Sequence, residues 1–561
     1  MDRQPHRSRF AGAGRTVWTW AWLGALALLA FAFHAAVPTN HDVAWILEGA
    51  GRLLDGARFG RDIVDVNPPL AWWIATLPVG FARAIGVGPG IASALFVVVL
   101  ALASVGLADA AASWGETPPR ERAMQALAAG AFLLLAPGYD FAQREHLMLI
   151  AAWPYLTAAG VRAQGHRLPV PLAGAIGLLS ALGFYQKPYF LLVPLLVEIW
   201  IARAQGVRQW VRPETGTLAA VGFGYLGAVL VFAPDYLFGN MPDAIAGYWA
   251  YQQPVSNVVA RAALALAPLA FAAGLLRRGL GDEPVPALAP ILMLASAGAC
   301  LSALLQAKSW SYHLVPAIGF AFMGCVVLYA ASGGGVRRQP LAAAAVVLIA
   351  AAGFGPALRD LGERALGRET DRIERLAALF RSHAGETGSV FAFVTSPRDV
   401  HPAVLASGAR WMGSACCLHL LPAAMRADEI APDAAARARE AASRQVAAVV
   451  AGMAAERPAV VVVDAHQDKL GFRDHDFDYV AHLSKDARFA ALWADYVEHE
   501  PIGGFRVFLR RDPLARAVEH DRARDRRDPS PAVVSLVTGT TPDDRCRGPL
   551  DRRAENDCPG S

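Results

Sequence analysis

Apolar residues in this chain come in long runs separated by short polar loops, the pattern of helices that cross a bilayer rather than helices with one wet face. Runs near 17–37, 91–112, 123–137, 146–161, 169–185, 188–203, 216–233, 259–276, 286–305, 312–331 and 339–356 are long enough to traverse about 30 Å of hydrocarbon. They predict eleven spans. The first follows a basic stretch, 1–16, and exceeds a signal-peptide core of about 7–15 residues, so it reads as an uncleaved anchor. The stretch 70–86, LAWWIATLPVGFARAIG, is apolar but short, holds Pro78 and Arg83, and has two tryptophans at one end. Loop charge decides its placement. If it lies along the interface, fifteen arginines fall in loops on one side and seven basic residues on the other, which fits a cytoplasmic N-terminus. If it spans, eleven of those fifteen change side. It is therefore read as part of an interfacial loop, 38–90, within a transmembrane domain of 17–356.

Beyond residue 356 the long apolar runs stop, and eleven spans place the remainder outside the cytoplasm. ETDRIERLAALFRSHA has helical spacing, SVFAFVTS and PAVVVVDAH are strand-like, PDAAARAREAASRQVAAVVAGMAA reads as a long helix, and GGFRVFLRR as a closing strand. These predict an extracytoplasmic α/β domain over 357–511. From 512 to 561 the composition turns rich in Arg, Asp and Pro, which predicts a disordered tail where Cys546 and Cys558 are able to pair. No internal repeat is evident.

Composition agrees with this fold class, a polytopic α-helical membrane protein with a C-terminal extracytoplasmic α/β domain. Of 561 residues, 55% are hydrophobic and 18% charged, too apolar for a soluble enzyme of this size. The net charge of +4 is spread over short loops and forms no nucleic-acid-binding face. None of the six cysteines has metal-site spacing with histidines, the vicinal Cys416 and Cys417 included.

Four polar clusters interrupt the apolar sequence, and this topology puts all four at the outer face. They are residues 39–73, TNHDVAWILEGAGRLLDGARFGRDIVDVNPPLAWW; 138–147, GYDFAQREHL; 184–189, FYQKPY; and 306–316, QAKSWSYHLVP. Any one of their charges has a bland explanation as a snorkelling anchor, and their convergence is what points to a functional site. Pro68 and Pro69 end any helix before them, so Asp65 and Asn67 shape the loop. Tyr185, Trp310, Tyr312 and the Trp72–Trp73 pair form first an interfacial aromatic belt and second a sugar-stacking surface. His466, Asp468, His475, Asp476 and Asp478 match no metal motif and read as a solvated loop.

The four clusters, in this order and at similar spacing over roughly 17–330, resemble those of the GT-C glycosyltransferases. The similarity is to the branch with protein mannosyltransferases and the lipid A aminoarabinose transferase. The acid after the first span is matched by Asp42, the turn and Pro motif by DGARFGRDIVDVNPPL, and the second acidic loop by GYDFAQREHL. FYQKPY and AKSWSYHLVP match the family's two lysine motifs. The chain departs from the family at Asp42-Val43, where an Asp-Glu pair is common. It departs again at Asn67-Pro68, where the aminoarabinose branch has Lys-Pro.

The resemblance implies an inverting transferase of the bacterial inner membrane. Its donor is a polyprenyl-phosphate-linked sugar, since no nucleotide-sugar pool exists outside the cytoplasm. Its acceptor is an envelope glycan, lipid or protein, and membrane lipids surround it. Such transfer needs a base for the acceptor hydroxyl and cations for the departing phosphate. Asp42 is the expected base; Lys187 and Lys308, then Arg144 and His313, are the expected phosphate contacts. Glu145 and His146 have two readings. They either join Asp42 around a divalent metal, or form a pair that positions the acceptor with Asp140 as the family acid, in which case no cofactor is required. The rivals are a transporter or flippase of lipid-linked glycans, which calls for midplane charges and related halves, and a non-catalytic glycan-binding protein. Convergence of Asp42, Glu145, Lys187 and Lys308 on one cavity separates the enzyme from both.

Overall fold

Short polar loops ending in proline launch most of the long helices, because proline fixes the backbone for a first turn and its missing N–H costs nothing there. Proline opens α4, α5, α7, α9, α10 and α13 in the series α1 (His6–Ala36), α2 (His41–Leu54), α3 (Leu70–Ile85), α4 (Pro89–Ala112), α5 (Pro119–Leu135), α6 (Arg144–Ala163), α7 (Val170–Phe184), α8 (Leu192–Gln205), α9 (Pro213–Phe232), α10 (Met241–Gly247), α11 (Val255–Gly279), α12 (Leu288–Leu305) and α13 (Val315–Ala331). A further long helix spans Pro340–Ala365. The structure is a computed structural model that describes residues 6–332, 340–365, 367–385, 388–473 and 475–511. The expected tail of 512–561, with Cys546 and Cys558, lies outside the described residues.

Among the described residues, eight helices are long and apolar enough to cross a membrane, fewer than the eleven expected. The other three runs became α5, α6 and α7, which are shorter or more polar but pack within the same bundle. Helix α6 shows the reason. Nearly its whole circumference is buried against α4, α7, α12 and α13, so protein rather than lipid receives its polar residues. Helix α3, with 16 residues, rises about 24 Å and falls short of the hydrocarbon thickness.

Two large hydrophobic cores, with two small satellites, organise the described residues. The bundle core joins α1, α4 to α8 and α11 to α13, and is filled by residues such as Leu133, Leu149, Phe184, Phe320 and Ile291. The second core is continuous from α2 and α3, through Trp45, Leu47, Trp72 and Val79, into the C-terminal α/β part. There β1 (Ser389–Phe393), β2 (Arg410–Trp411), β3 (Val460–Asp464), β4 (Tyr496–Ile502) and β5 (Phe505–Arg510) form one sheet in the order β2-β1-β3-β5-β4. Strand β1 runs parallel to β2 and β3, while β5 is antiparallel to β3 and β4. Val390 to Phe393 and Val460 to Val463 are buried, and the predicted strands SVFAF, VVVV and FRVFL are these central ones. The mostly exposed edge strand β4, YVEHEPI, carried no alternation to announce it.

The opening loop is thus part of the head's core rather than an appendage of the bundle. The head and the loop are also joined by polar bonds: Val64 N–H donates to Ser414 O at 2.7 Å, and Arg52 Nη1 donates to Gly413 O at 2.8 Å. Helix Val400–Ser407 packs on α2, with the His401 and Trp45 rings 5.1 Å apart.

Candidate active site

Asp42 stands in the first turn of α2, and its place is set by the residue before the helix. Asn40 Oδ1 accepts the Asp42 N–H at 2.9 Å, the usual cap of a helix start. Asn40 in turn receives Gln143 Nε2 at 3.0 Å and donates Nδ2 to Tyr139 O at 3.0 Å. The cap therefore ties the first polar cluster to the second. Arg144 Nη2 donates to Asp42 Oδ2 at 3.1 Å, and His41 Nε2 lies 3.6 Å from Oδ1.

Arg144 and Glu145 open α6, and the turn before them is strained into place. Ala142 has φ +66°, a left-handed conformation that costs a side-chain-bearing residue on the order of 1 kcal/mol. Its N–H donates to His146 Nδ1 at 3.0 Å, and His146 Nε2 donates to Leu133 O at 2.7 Å. Gly138, at φ +53°, lies so close to the helix Pro340–Ala365 that a Cβ there would stand 3.2 Å from Ala357 Cα. Lys187 sits in an extended residue between α7 and Pro188 and donates Nζ to Glu145 Oε1 at 2.6 Å, both side chains being almost wholly buried. Lys308 follows Ala307, a second left-handed residue at φ +52°. Its Nζ lies over the Tyr248 ring at 3.3 Å and the Trp310 ring at 4.6 Å.

All four loops close on one cavity of about 1000 Å³, lined by Asp42, Asp65, Asn67, Asp140, Arg144, Lys187, Lys308 and His313 among others. Glu145 stands behind this wall, in contact with Lys187 and with His313 Nε2 3.8 Å away. Several polar atoms here make no hydrogen bond: Glu145 Oε2, Arg144 Nε and both ring nitrogens of His313. Among the described residues Lys308 has no carboxylate within ion-pair distance. The electrostatics follow. Burial works to keep Asp42 neutral, but His41, Arg144, Lys187 and Gln143 outweigh it and hold the carboxyl below the usual range. Burial, with Lys187 and Arg144 adding, drives Lys308 well below an ordinary lysine despite Asp42 and Glu145. Burial also raises Asp140 to about 7, helped by Glu145, Asp360 and Asp42 and opposed by Arg398.

Some expected roles change. His146 is not with Asp42 and Glu145 as a ligand: both its ring nitrogens are engaged by backbone, Asp42 is engaged by Arg144, and Glu145 by Lys187. That trio does not fit a metal ion, and no step is routed through one. Pro68 and Pro69 begin a helix rather than end one, leading directly into α3. Asp65 does shape the loop, receiving Trp45 Nε1 at 3.0 Å on one oxygen and both nitrogens of Asn67 at 2.8 Å on the other. Trp310 and Tyr312 line the cavity, whereas Trp72 is fully buried beside Phe59 and Tyr185 donates to Leu218 O, both away from it. His466 pairs with Asp464 at 2.7 Å on the head's exposed surface, and Asp478 caps the helix Tyr479–Leu483.

The cavity also has a wall that the sequence reading passed over. Tyr248 and Tyr251 come from the YWAYQQ loop, Asp360 from the last long helix, and Thr395, Arg398, Cys416, Cys417 and His419 from the head. The aromatic-polar loop between two apolar runs was the available signal for the first pair. For the cysteines linear spacing gave none, yet Cys416 Sγ, Cys417 Sγ and a His419 ring nitrogen lie within 4.8 Å of one another.

These features define a multi-pass membrane protein whose bundle and head enclose a charged cavity, and comparison shows the same overall fold in a solved protein. The chain is similar to the crystal structure of ArnT from Cupriavidus metallidurans in the apo state, with a TM-score of 0.56 and 12% identity, over 89% of this chain and 98% of that one. A looser similarity is to the archaeal oligosaccharyltransferase AglB from Archaeoglobus fulgidus in complex with an inhibitory peptide and a dolichol-phosphate. Its TM-score is 0.38 at 12% identity, over 87% of this chain and 74% of that one. No protein-family profile and no curated relative matches the chain.

Proposed function

We propose that the chain is an inverting glycosyltransferase that moves a sugar from a polyprenyl-phosphate carrier to an acceptor in the cell envelope, on the extracytoplasmic face of the bacterial inner membrane. The observation that carries this reading is the convergence of Asp42, Arg144, Lys187 and Lys308 on one cavity, with a held carboxylate beside a lysine that has no carboxylate partner among the described residues. Asp42 accepts the proton of the acceptor hydroxyl as that oxygen attacks the anomeric carbon opposite the phosphate. The bond between that carbon and the phosphate oxygen breaks, and the charge released falls to Lys308 and Lys187. Once Asp42 is protonated, Arg144 is no longer held by a carboxylate charge, and its planar fork suits a phosphate. Trp310, Tyr312 and Tyr248 offer flat faces for the sugar. The gathering of the four polar clusters on one cavity favours this reading over a transporter.

The test is mass spectrometry of envelope lipids and glycans from a deletion strain carrying wild type or Asp42→Asn. The expected result is that wild type restores a sugar-modified species, while Asp42→Asn leaves it missing and polyprenyl-phosphate-sugar accumulating. Restoration by Asp42→Asn would remove the proposed base.

A further inference from the structure

The head contributes to the cavity wall a loop whose chemistry the transfer reaction does not use. Cys416, Cys417 and His419 all face the cavity, with Cys416 partly exposed and the other two buried. The two sulfurs are 3.2 Å apart, and one ring nitrogen of His419 completes a set within 4.8 Å. Two thiolates on one tetrahedral zinc, at about 2.3 Å each, stand roughly 3.8 Å apart, so the pair needs to open by only about half an ångström.

The loop is also held for this geometry, because the backbone carbonyl of every member of the trio is bonded by a buried or half-buried side chain. His401 Nε2 donates to Cys416 O at 2.9 Å, Gln445 Nε2 to Cys417 O at 3.1 Å, and the Tyr251 hydroxyl to His419 O at 3.1 Å. Gln445 Oε1 accepts the Leu420 N–H at 3.0 Å, closing the clamp. His419 Nδ1 lies 3.2 Å from Cys417 O. A donation there leaves Nε2 with its lone pair free, the arrangement by which a neighbouring carbonyl commonly fixes a ligating imidazole. Thiolate, thiolate and imidazole together select a soft or borderline ion rather than magnesium or calcium. The upstream end of the same loop accepts from Val64 of the Asp65 loop through Ser414 O and from Arg52 of α2 through Gly413 O.

We infer that Cys416, Cys417 and His419 form a three-ligand site for one zinc-class divalent ion, with its fourth position open to the cavity. Loading replaces the two thiol protons, which pass to solvent, and involves no change of oxidation state. It stiffens the wall opposite the bundle's lysines, and it stands whether or not the bundle transfers a sugar.

The experiment uses the full-length protein in detergent, reduced and stripped of metal, titrated with Co²⁺ and then with Zn²⁺. The expected result is one Co²⁺ per chain with a thiolate-to-cobalt charge-transfer band and the intense visible bands of a tetrahedral site, all bleached by one equivalent of Zn²⁺. The Cys416→Ser, Cys417→Ser and His419→Ala variants then lose the charge-transfer band or bind at least tenfold more weakly. A wild-type spectrum without thiolate bands overturns the site without reference to any variant. So does a Cys416–Cys417 disulfide found by mass spectrometry in protein alkylated directly in the membrane, which would assign the pair to redox chemistry instead.

Discussion

Two clusters of buried charge in the bundle use the same residue types to different ends. In one, Arg162 grips Glu214 with two bonds of 2.9 Å, Arg212 reaches the same carboxylate at 3.0 Å and also Glu198, and Tyr155 donates to Glu198. Two arginines face two carboxylates, and none of the four lines the cavity. In the other, Arg144, Lys187 and Lys308 face Asp42 and Glu145, and the Lys308 amine is left over without a carboxylate partner among the described residues. Around it Glu145 Oε2, Arg144 Nε and the His313 ring are left without hydrogen bonds. The first network spends nearly all its polar atoms on itself, Glu198 Oε2 being the exception, and fixes the packing of helices. An open one beside a cavity has bonds in reserve, and these need an outside partner. Buried charge alone does not mark a site, nor does a single unspent oxygen; several unspent atoms gathered at a cavity do.

Substitutions in the two clusters should therefore fail differently. The largest effect is expected from Asp42→Asn, which removes the proposed base: turnover falls by roughly 10²- to 10⁴-fold, while the thermal midpoint in detergent stays near that of wild type. Lys308→Met removes an amine that has no ion-pair partner among the described residues. The donor's KM should rise about ten- to a hundredfold, the worth of one hydrogen bond to a charged group, with little change in stability. Glu214→Ala in the closed cluster reverses the pattern. It leaves Arg162 without its carboxylate and Arg212 with Glu198 alone, and should cost about 3 kcal/mol of stability, read as a lower midpoint, while the folded protein binds donor as wild type does. A large loss of donor affinity in Glu214→Ala would mean that the two clusters are not separate in function.

The smallest effect concerns pH. Burial raises Asp140 from 3.8 to about 7, so between those values the folded protein holds a proton that the unfolded chain has released. Stability therefore falls as pH rises across that window and levels off above it. Ionisation near 7 also adds a negative charge beside Asp42 and Glu145, so donor affinity should weaken several-fold as pH passes 7. Asp140→Asn should flatten that limb, and an unchanged profile in the variant would assign the limb to another group.

Much of the fold was legible because bilayer thickness imposes a run length that composition reveals directly. The count was less so. Helix α6 carries Arg144, Glu145 and His146 among apolar residues, and a helix enclosed by protein is free of the hydropathy demanded of one facing lipid. The cations were legible because lysines in apolar loops are conspicuous, and Asp42 because it follows the first run. The contribution of the head was not legible: Arg398, Cys416, Cys417 and His419 line the same cavity as Asp42 from more than 350 positions away in sequence, and no local pattern records such a pairing. His146 misled for the opposite reason, since adjacency to Glu145 says nothing about ring nitrogens spent on Ala142 and Leu133.

The most direct test of the open cluster as a phosphate site requires neither the sugar nor the acceptor to be known. It is the equilibrium affinity for polyprenyl monophosphate of wild type, Lys308→Met and Asp42→Asn, each purified into nanodiscs. Lys308→Met is predicted to bind at least tenfold more weakly, and Asp42→Asn to bind as well as wild type or better, since a carboxylate competing for Arg144 is gone. Wild-type affinity in Lys308→Met would contradict the account.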